Sequence, residues 1–404
     1  MTTPASNPTQ FADIASPGDP FRFASGESFD SVQLAYKTYG SLLTDRSNVI
    51  LLFPVLSTSQ HAAGIDREGK GSPIWAPENH KGWWDEIVGP GKALDTNRYS
   101  VICTNYLGGC FGSFGPESIN PQTGHRWGAK FPKVTVQDIV DAQVRLLDQL
   151  GIEQIHTVVG ASFGGLLAYD LAVRYSKRVQ QVLTLASGAR LPPITRHSNL
   201  AQILAIESDP SVRDGTDSIQ NPSSGLMLAR LTAMRTYVEL SSLEENLMNK
   251  EQESQVPIER QNVGTYSSQH PAEDFFIKHA RRFSERFSAQ SYLRIVGAWQ
   301  SFRAHPIRET QMNHQRWLQF TIEKDSCFPA QEQDHLEKAL REENIRNERV
   351  WIDSSKGHDA FLCEPEKFIA PIRAFLTQAP MAGLKSEVGA SFFDELRGSS
   401  PLQR

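Results

Sequence analysis

The sequence predicts an α/β fold in which a mostly parallel central sheet is interrupted by a helical insertion. Short, continuously apolar runs, typical of strands buried on both faces, alternate with stretches of helical spacing in both halves of the chain. Between the halves, from about residue 192 to residue 306, this alternation stops and the chain is mostly helix-like and charged. One α/β unit with an inserted helical segment accounts for both observations.

The predicted elements follow in chain order. Residues 32–40 alternate between apolar and polar side chains and end at a glycine, which favours an antiparallel strand. Buried parallel strands are predicted from the apolar runs at 49–54, 99–104, 157–160, 182–187, 317–322 and 350–352. Helices are predicted at 135–150, 165–175, 330–340 and 365–376. Helices between parallel strands cover both faces of a sheet.

The domain boundaries are placed where this pattern changes. Residues 21–191 and 307–380 are expected to form one α/β core, and residues 192–306 the helical insertion, which contains a polar loop at 244–254. The first 20 residues are polar and contain prolines, so a loose N-terminal arm is expected there. Residues 381–404 are rich in Gly and Ser and are expected to form a C-terminal tail.

Composition excludes several classes of protein. The 404 residues, of which 39% are hydrophobic, supply a large core, and a net charge of −5 argues against a nucleic-acid partner. The four cysteines are scattered and form no Cys-x-x-Cys pair, so neither a disulfide scaffold nor a metal site is expected. No apolar run reaches about 18 residues, and the first 20 residues lack a signal-like apolar core. A cytoplasmic location, away from the membrane, is therefore expected.

The most informative motif is Gly160-Ala161-Ser162-Phe163-Gly164. It lies between an apolar run and a helical stretch, and strand, Gly-x-Ser-x-Gly and helix in this order are the context of a nucleophile elbow. The glycines leave room for a sharp turn that holds the serine above the sheet in a strained backbone conformation. The motif predicts that Ser162 is a nucleophile, with an ordinary glycine-rich turn as the alternative.

A nucleophilic serine needs a base, and the base needs a group that orients it. In the α/β-hydrolase fold the acid and then the histidine follow the serine along the chain. Asp325 follows a late predicted strand, and His358 follows the last one. Asp353, at the end of the last strand, is a second candidate for the acid. The sequence therefore predicts an α/β-hydrolase fold with Ser162, Asp325 and His358 as its triad.

The oxyanion hole of such a site needs two N–H donors. One is expected from Phe163, directly after the nucleophile and at the start of a helix. The other is expected from the loop after an early strand, at Val55-Leu56-Ser57, where Leu56 is the candidate. Backbone donors leave little trace in side-chain identity, so this prediction depends on position along the chain.

Beyond these residues, the chain carries many short motifs in one order. They are Trp83-Trp84-Asp85, residues 89–99, Leu107-Gly108-Gly109-Cys110, Gly115-Pro116, Ser118-Ile119-Asn120-Pro121, Gly225-Leu226, Ala229-Arg230, Thr236-Tyr237, Arg286-Phe287, Ser291-Tyr292-Leu293, Phe328-Pro329 and Gly357-His358-Asp359-Ala360-Phe361-Leu362. Together they resemble the homoserine O-acetyltransferase family, a branch of the α/β-hydrolase fold, from about residue 30 to residue 377.

The resemblance implies an O-acyltransferase that works by a ping-pong mechanism and holds no cofactor or metal. Acyl-CoA is the implied co-substrate, with acetyl-CoA expected and a succinyl donor left open. His358 would deprotonate Ser162, which attacks the thioester, and Asp325 would hold the imidazole. The acyl group would then pass to the hydroxyl of an amino acid such as homoserine, a step of methionine biosynthesis in this family.

The resemblance also implies substrate contacts. Arg230 would pair with the acceptor carboxylate and Asp359 with its ammonium group, and Tyr237 would line the same pocket. A zwitterion needs a guanidinium fork at one end and a carboxylate at the other. The alternatives are a surface ion pair for Arg230, a helix cap for Asp359 and core packing for Tyr237. In the family the helical insertion forms a lid that excludes water and makes the dimer contact, so a homodimer is implied.

The chain departs from the family pattern at three places. Phe163 stands where the family usually has Met, and Thr58-Ser59-Gln60-His61 stands where a glycine and a polar residue usually follow Leu56-Ser57. Ala298-Trp299-Gln300 replaces Ala-Met-Asp. An altered pocket is expected, so serine or another hydroxylated metabolite stays open as the acceptor. An esterase or thioesterase on the same triad and a catalytically silent binding protein are the rival classes.

Overall fold

The computed structural model describes residues 7–69, 72, 74–215, 217, 222–241, 243 and 260–378. The predicted polar loop at 244–254 and the predicted tail at 381–404 lie outside these residues. Within them, eight strands form one sheet. They are β1 (Gln10–Asp13), β2 (Gln33–Tyr39), β3 (Val49–Phe53), β4 (Ser100–Thr104), β5 (Ile155–Ala161), β6 (Val179–Leu185), β7 (Arg316–Ile322) and β8 (Arg346–Ile352).

The sheet has the spatial order β1-β2-β4-β3-β5-β6-β7-β8. Strand β2 runs antiparallel to both β1 and β4. In the rest of the sheet, β4-β3-β5-β6-β7-β8, all neighbouring strands are parallel. Buried hydrophobic clusters lie on the two faces of this sheet, so parallel strands such as β3, with five buried residues, carry apolar side chains in both directions. The predicted α/β-hydrolase fold with its mostly parallel sheet is confirmed.

The helices between and after the strands cover both faces. In the described part of the chain they are α1 (Val136–Gln149), α2 (Phe163–Arg174), α3 (Pro193–Glu207), α4 (Pro210–Arg213), α5 (Ser224–Tyr237), α6 (Pro271–Ser284), α7 (Ala289–Ser301), α8 (Glu309–Met312), α9 (Ala330–Glu342), α10 (Ala360–Cys363) and α11 (Glu366–Leu376). Short 3-10 turns lie at Pro77–Asn79, Gly128–Lys130, Ser176–Arg178 and Gly357–Asp359. Two-residue strand pairs join Phe21–Arg22 to Ser28–Phe29, Val88–Gly89 to Leu94–Asp95, and Asn262–Val263 to Tyr266–Ser267.

The N-terminal arm differs from the prediction in its described part. Residues 10–13 form the edge strand β1, whose backbone pairs with β2, and the Asp13 side chain accepts a hydrogen bond from the Val32 N–H at 2.8 Å. The expectation of a loose segment there was wrong. A strand of four mostly exposed residues has too little apolar alternation to be recognised, and main-chain pairing with the free edge of β2 orders it.

Most of the described residues between β6 and β7 are helical, and α3 to α8 all belong to this segment. Helix α5 packs against both α3 and α6, and it also contacts the turn at Gly357–Asp359. That contact brings the inserted helices to the ends of the central strands. No helix in the described residues is long and apolar enough to cross a membrane.

Candidate active site

The turn from β5 to α2 is a strained elbow at Ser162. This serine has φ 54° and ψ −124°, a conformation that non-glycine residues rarely adopt. Its N–H donates to the Leu185 carbonyl at 2.9 Å, and the Ser187 hydroxyl donates to its carbonyl at 2.8 Å. The strained residue is therefore held by two hydrogen bonds to the end of the neighbouring strand β6.

The glycines of the elbow are required by close backbone contacts. A Cβ at Gly160 would lie 2.1 Å from the Gly164 carbonyl oxygen, and one at Gly164 would lie 2.6 Å from the Pro54 carbonyl oxygen. At Gly165, a Cβ would meet the Ser187 Cβ at 2.4 Å. Side chains at these positions would push strand, turn and helix apart, so the glycines place the serine.

Ser162, His358 and Asp325 form a chain of hydrogen bonds. His358 Nε2 lies 2.7 Å from Ser162 Oγ, and His358 Nδ1 lies 2.8 Å from Asp325 Oδ2. The three residues are only 5%, 2% and 4% exposed, in that order. The structure thus brings the predicted nucleophile, base and acid together in a site screened from water.

The acid is oriented by the turn that carries it. Asp325 Oδ1 accepts hydrogen bonds from the backbone N–H groups of Cys327 at 2.7 Å and Phe328 at 2.8 Å, which leaves Oδ2 for the histidine. Asp353, the alternative acid, is exposed. Of the two candidates, the structure therefore joins Asp325 to His358.

The charge of His358 depends on its neighbours. Burial lowers the pKa of the imidazole, but the nearby Asp325 and Asp359 carboxylates outweigh this effect, and the pKa is raised. Asp325 acts on the ring by its charge and by its hydrogen bond. A base with a raised pKa binds a proton more strongly in the step where it must accept one.

The backbone N–H groups of Leu56 and Phe163 lie at the same edge of the sheet. Leu56 follows β3, Phe163 begins α2, and the close approach of Gly164 to Pro54 brings these two segments together. Among the described residues neither N–H has a hydrogen-bond acceptor. Both donors are available to an oxyanion formed next to Ser162.

The loop that carries Leu56 is held by a residue that departs from the family pattern. The Thr58 hydroxyl accepts a hydrogen bond from the Val55 N–H at 3.1 Å, and the Thr58 N–H donates to the Val55 carbonyl at 3.0 Å. The Tyr106 hydroxyl donates to the Pro54 carbonyl. These contacts fix the turn in which the Leu56 amide is found, without the glycine usual in the family.

Arg230, Tyr237 and Asp359 converge beside the histidine. The Tyr237 ring centroid lies 5.7 Å from that of His358, and the Arg230 guanidinium lies 5.6 Å from the Tyr237 ring. Arg230 Nε is buried, with no hydrogen-bond partner among the described residues. Burial raises the pKa of Asp359, although the charges of His358 and Arg230 oppose this shift. The predicted cation and carboxylate for a zwitterion are therefore close enough to interact electrostatically, while their roles stay a prediction.

A second arginine approaches Arg230, and sequence reasoning assigned it no role. The guanidinium groups of Arg230 and Arg286 lie 4.9 Å and 5.5 Å from the centroid of the same ring, Phe283. Burial and the charge of Arg230 lower the pKa of Arg286 to about 10. In the described residues neither arginine forms an ion pair with a carboxylate. Two cations of this kind are suited to an anionic ligand.

Aromatic rings surround the triad. Trp299 lies 5.9 Å from the ring of Phe163 and stacks at 12° on Phe328, and Phe328 in turn stacks on His358 at 5.9 Å. In the sequence, the side chains of Phe163 and Trp299 stand out only as departures from the family pattern, and Phe163 is otherwise expected to contribute its backbone N–H. Their contact joins two segments far apart in the chain, and no local signal could have indicated it.

Comparison with known proteins places the chain among enzymes of related chemistry. Residues 76–365 match the family described as the alpha/beta hydrolase fold. The homoserine O-acetyltransferase of Rhodopseudomonas palustris (strain BisB18) is 34% identical over 395 residues, 94% of this chain and 93% of that protein. The homoserine O-succinyltransferase of Bordetella petrii is 36% identical over 368 residues, 88% of this chain and 84% of that protein.

A solved structure agrees with these relatives. The crystal structure of homoserine O-acetyltransferase from Bacillus anthracis superimposes with a TM-score of 0.73 at 28% identity, over 92% of this chain and 97% of that one. The similarity therefore extends through both the α/β core and the inserted helices.

Proposed function

Since the chain belongs to the homoserine O-acetyltransferase family of the α/β-hydrolase fold and is an acyltransferase, we propose that it acylates an amino-acid hydroxyl by a ping-pong mechanism. The proposed donor is an acyl-CoA, with acetyl-CoA first, and the proposed acceptor is homoserine. The observation that carries the proposal is the hydrogen-bonded chain from Ser162 through His358 to Asp325 beside Arg230 and Asp359.

The first half-reaction loads the acyl group on Ser162. His358 Nε2, 2.7 Å from the hydroxyl, takes the proton while Oγ attacks the thioester carbonyl carbon. The tetrahedral intermediate then breaks its C–S bond, and His358 returns the proton to the leaving sulfur. Free CoA thiol and an acyl-serine ester are the products. Asp325 holds Nδ1–H and stabilises the imidazolium that forms in between.

The oxyanion formed in each half-reaction needs donors fixed in advance. The N–H groups of Leu56 and Phe163 are proposed for this role, because both are free of internal acceptors among the described residues and lie on segments held by backbone contacts. Phe163 also begins helix α2, whose N-terminal dipole favours negative charge.

The second half-reaction transfers the acyl group. His358 Nε2 takes the proton of the acceptor hydroxyl, whose oxygen attacks the acyl-serine carbonyl. The bond between the carbonyl carbon and Ser162 Oγ breaks, and His358 returns the proton to Oγ. The serine is thus regenerated and an O-acyl amino acid is released.

The acceptor is oriented by opposite charges. We assign its carboxylate to Arg230, with Arg286 adding a second positive charge close by, and its ammonium group to Asp359. Tyr237 lies between Arg230 and His358 and lines the path between the charged groups and the base. An acceptor that lacks either charge would leave a half-buried charge without a partner.

Transfer in place of hydrolysis requires that water be excluded from the acyl-enzyme. The inserted helices, of which α5 contacts the turn that carries His358, are proposed as the lid over the site. A homodimer through this helical segment is proposed from the family. Light scattering of the full chain tests it, and a monomeric mass would contradict it.

The function is tested by incubating the full chain with acetyl-, propionyl- and succinyl-CoA. Each donor is offered homoserine, serine or no acceptor, and ester products are identified by mass spectrometry. We expect O-acetylhomoserine to dominate, with little CoA release when the acceptor is omitted, and no turnover by Ser162→Ala.

Three other results would contradict the proposal. Equal release of free acid with and without an acceptor would identify an esterase or thioesterase on the same triad. A preference for serine or for another hydroxylated metabolite would replace homoserine as the acceptor. Failure of a fluorophosphonate to label Ser162 would favour a silent binding protein.

A further inference from the structure

The indole ring of Trp299 connects the two sides of the triad. It contacts Phe163, which directly follows the nucleophile, and Phe328, which stacks on the base His358. The segments that carry these residues, the start of α2, helix α7 and the turn after β7, come from three distant parts of the chain. Trp299 therefore packs both against the residue next to the nucleophile and against a ring that stacks on the base.

The path of an acyl chain follows from the proposed chemistry. The acyl carbon bonds to Ser162 Oγ, and its oxygen turns toward the N–H groups of Leu56 and Phe163. In the proposed geometry the rest of the chain leaves that carbon on the side of Phe163, the residue that directly follows the nucleophile. Since Trp299 packs against Phe163, each added methylene brings the chain closer to the indole.

The wall formed by these rings is rigid. Trp299 is 1% exposed, its plane is 12° from that of Phe328, and the Phe163 ring also packs at 84° to the ring of Tyr106, with the centroids 5.5 Å apart. A ring fixed by packing on several sides cannot retract as a flexible thioether side chain can. A longer acyl chain would thus require the whole aromatic group to move.

The wall is also uncharged. The polar group of these three side chains is the indole N–H of Trp299. It is buried and has no acceptor in the part of the chain that the structure describes. Phe163, Phe328 and Trp299 supply no cation for a terminal carboxylate. A succinyl chain directed there would lose the water around its charge and gain no cationic partner.

We propose that Trp299 is a specificity-determining residue that restricts the acyl group on Ser162 to a short, uncharged chain of two or three carbons. The inference rests on the proposed function for the identity of the donor. It concerns the size and charge of the acyl pocket, which nucleophilic attack on any activated ester would also reveal.

The test compares the wild type with Trp299→Met, which keeps an apolar side chain and replaces the rigid ring. Acylation of Ser162 is followed by intact-protein mass spectrometry with acetyl-, butyryl- and succinyl-CoA, and in parallel with p-nitrophenyl acetate and butyrate. We expect the wild type to prefer acetyl over butyryl by about 10-fold or more, because butyryl is one methylene longer than the proposed three-carbon limit and one methylene in a tight apolar pocket is worth at least that factor. Trp299→Met should reduce the preference by about 10-fold.

Trp317→Met is the matched control. Trp317 is also fully buried, but its Nε1–H donates to Gln315 Oε1 at 3.1 Å and its ring contacts Tyr169, not the triad. The ratio of acetyl to butyryl acylation is independent of the folded fraction, and the control should leave it unchanged. Trp299→Phe separates the ring from its N–H and should keep most of the preference.

The outcomes separate the inference from the proposed function. One outcome is that no acyl-CoA acylates Ser162, while the preference for p-nitrophenyl acetate over the butyrate is lost in Trp299→Met. That outcome would contradict the CoA donor and support the inference. Equal ratios in wild type and Trp299→Met, or wild-type acylation by succinyl-CoA as fast as by acetyl-CoA, would overturn the inference. Absence of acylation by every donor would overturn both.

Discussion

His358 Nε2 lies 2.7 Å from Ser162 Oγ, although the two residues are 196 positions apart in the chain. The contact depends on the strained elbow that raises the serine and on the turn after β8 that lowers the histidine toward it. Gly357, with φ 66°, allows that turn, since a Cβ there would lie 2.9 Å from the Glu239 nitrogen at the end of α5. The proposed base and the packing of the inserted helices therefore depend on one turn.

The first prediction concerns pH. His358 must be neutral to accept a proton, and its carboxylate neighbours raise its pKa above the ordinary value of 6.5. Acylation should therefore increase as the pH rises through this raised pKa. In Asp325→Asn the charge that raises the pKa is lost, so the rising limb should move to lower pH while the maximum rate falls about 10⁴-fold. Single-turnover acylation measured across pH tests both effects.

The exposed residue Asp353 supplies the control for this experiment. Asp353→Asn should leave the pH profile and the rate as in the wild type. A large rate loss in Asp353→Asn with an unaffected Asp325→Asn would reassign the acid.

The second prediction concerns the acceptor carboxylate. Arg230→Met removes a guanidinium whose Nε is buried without a partner among the described residues, so the acceptor should lose charge-assisted hydrogen bonds. KM for homoserine should rise about 10- to 100-fold, while acylation of Ser162 in the absence of acceptor stays close to the wild-type rate. Arg286→Met should raise the same KM by a smaller factor.

The control lies on the same helix. Arg235 is exposed and belongs to α5 like Arg230, so Arg235→Met tests the loss of a positive charge from that helix. Its KM should equal that of the wild type. If Arg230→Met slowed acylation as strongly as transfer, the residue would act on the donor or on the fold instead.

The third prediction concerns the acceptor ammonium group, for which Asp359 is the proposed partner. The wild type should transfer acyl groups more slowly to 4-hydroxybutyrate, which lacks the ammonium group, than to homoserine. In Asp359→Asn this difference between the two acceptors should shrink about 10-fold or more. Once the carboxylate of Asp359 is removed, the ammonium group of homoserine has lost its partner, so removing it as well costs little more. The ratio of kcat/KM for the two acceptors measures it. A ratio unchanged by the substitution would leave Asp359 only its effect on the pKa of His358.

The fourth prediction concerns the elbow glycine at the end of β5. Gly160→Ala places a Cβ 2.1 Å from the Gly164 carbonyl oxygen, a backbone atom that cannot turn away. We expect a loss of about 1–3 kcal/mol in the free energy of unfolding and a strong loss of activity, since the elbow must open. Urea unfolding and fluorophosphonate labelling measure the two effects.

Gly297 in helix α7 is the matched site. A Cβ there meets no atom within 4 Å, so Gly297→Ala should raise the free energy of unfolding by about 0.5–1 kcal/mol through helix propensity. Equal stability changes in the two variants would show that close contact at Gly160 does not limit the fold.

Local patterns in the sequence determined the class of fold and the candidate nucleophile. Continuous apolar runs identify buried parallel strands because both faces of such strands are covered, and the Gly-x-Ser-x-Gly context describes a turn made by adjacent residues. The order of Ser162, Asp325 and His358 followed from the chain order typical of this fold. The edge strand Gln10–Asp13 was not predicted, because main-chain pairing with a distant partner orders it and its side chains show little apolar alternation.

Tertiary structure alone decided which side chains from distant segments contact each other at the candidate site. Asp325 lies in the turn after β7, and Asp353 directly follows β8. Only the path of the turn after β7 brings a carboxylate, that of Asp325, to His358 Nδ1. Arg230 and Arg286 lie on different helices and meet through Phe283, and Trp299 reaches both Phe163 and Phe328. Such contacts depend on how helices pack over strand ends. Packing is a property of pairs of residues distant in the chain, so the periodicity of one segment does not predict it.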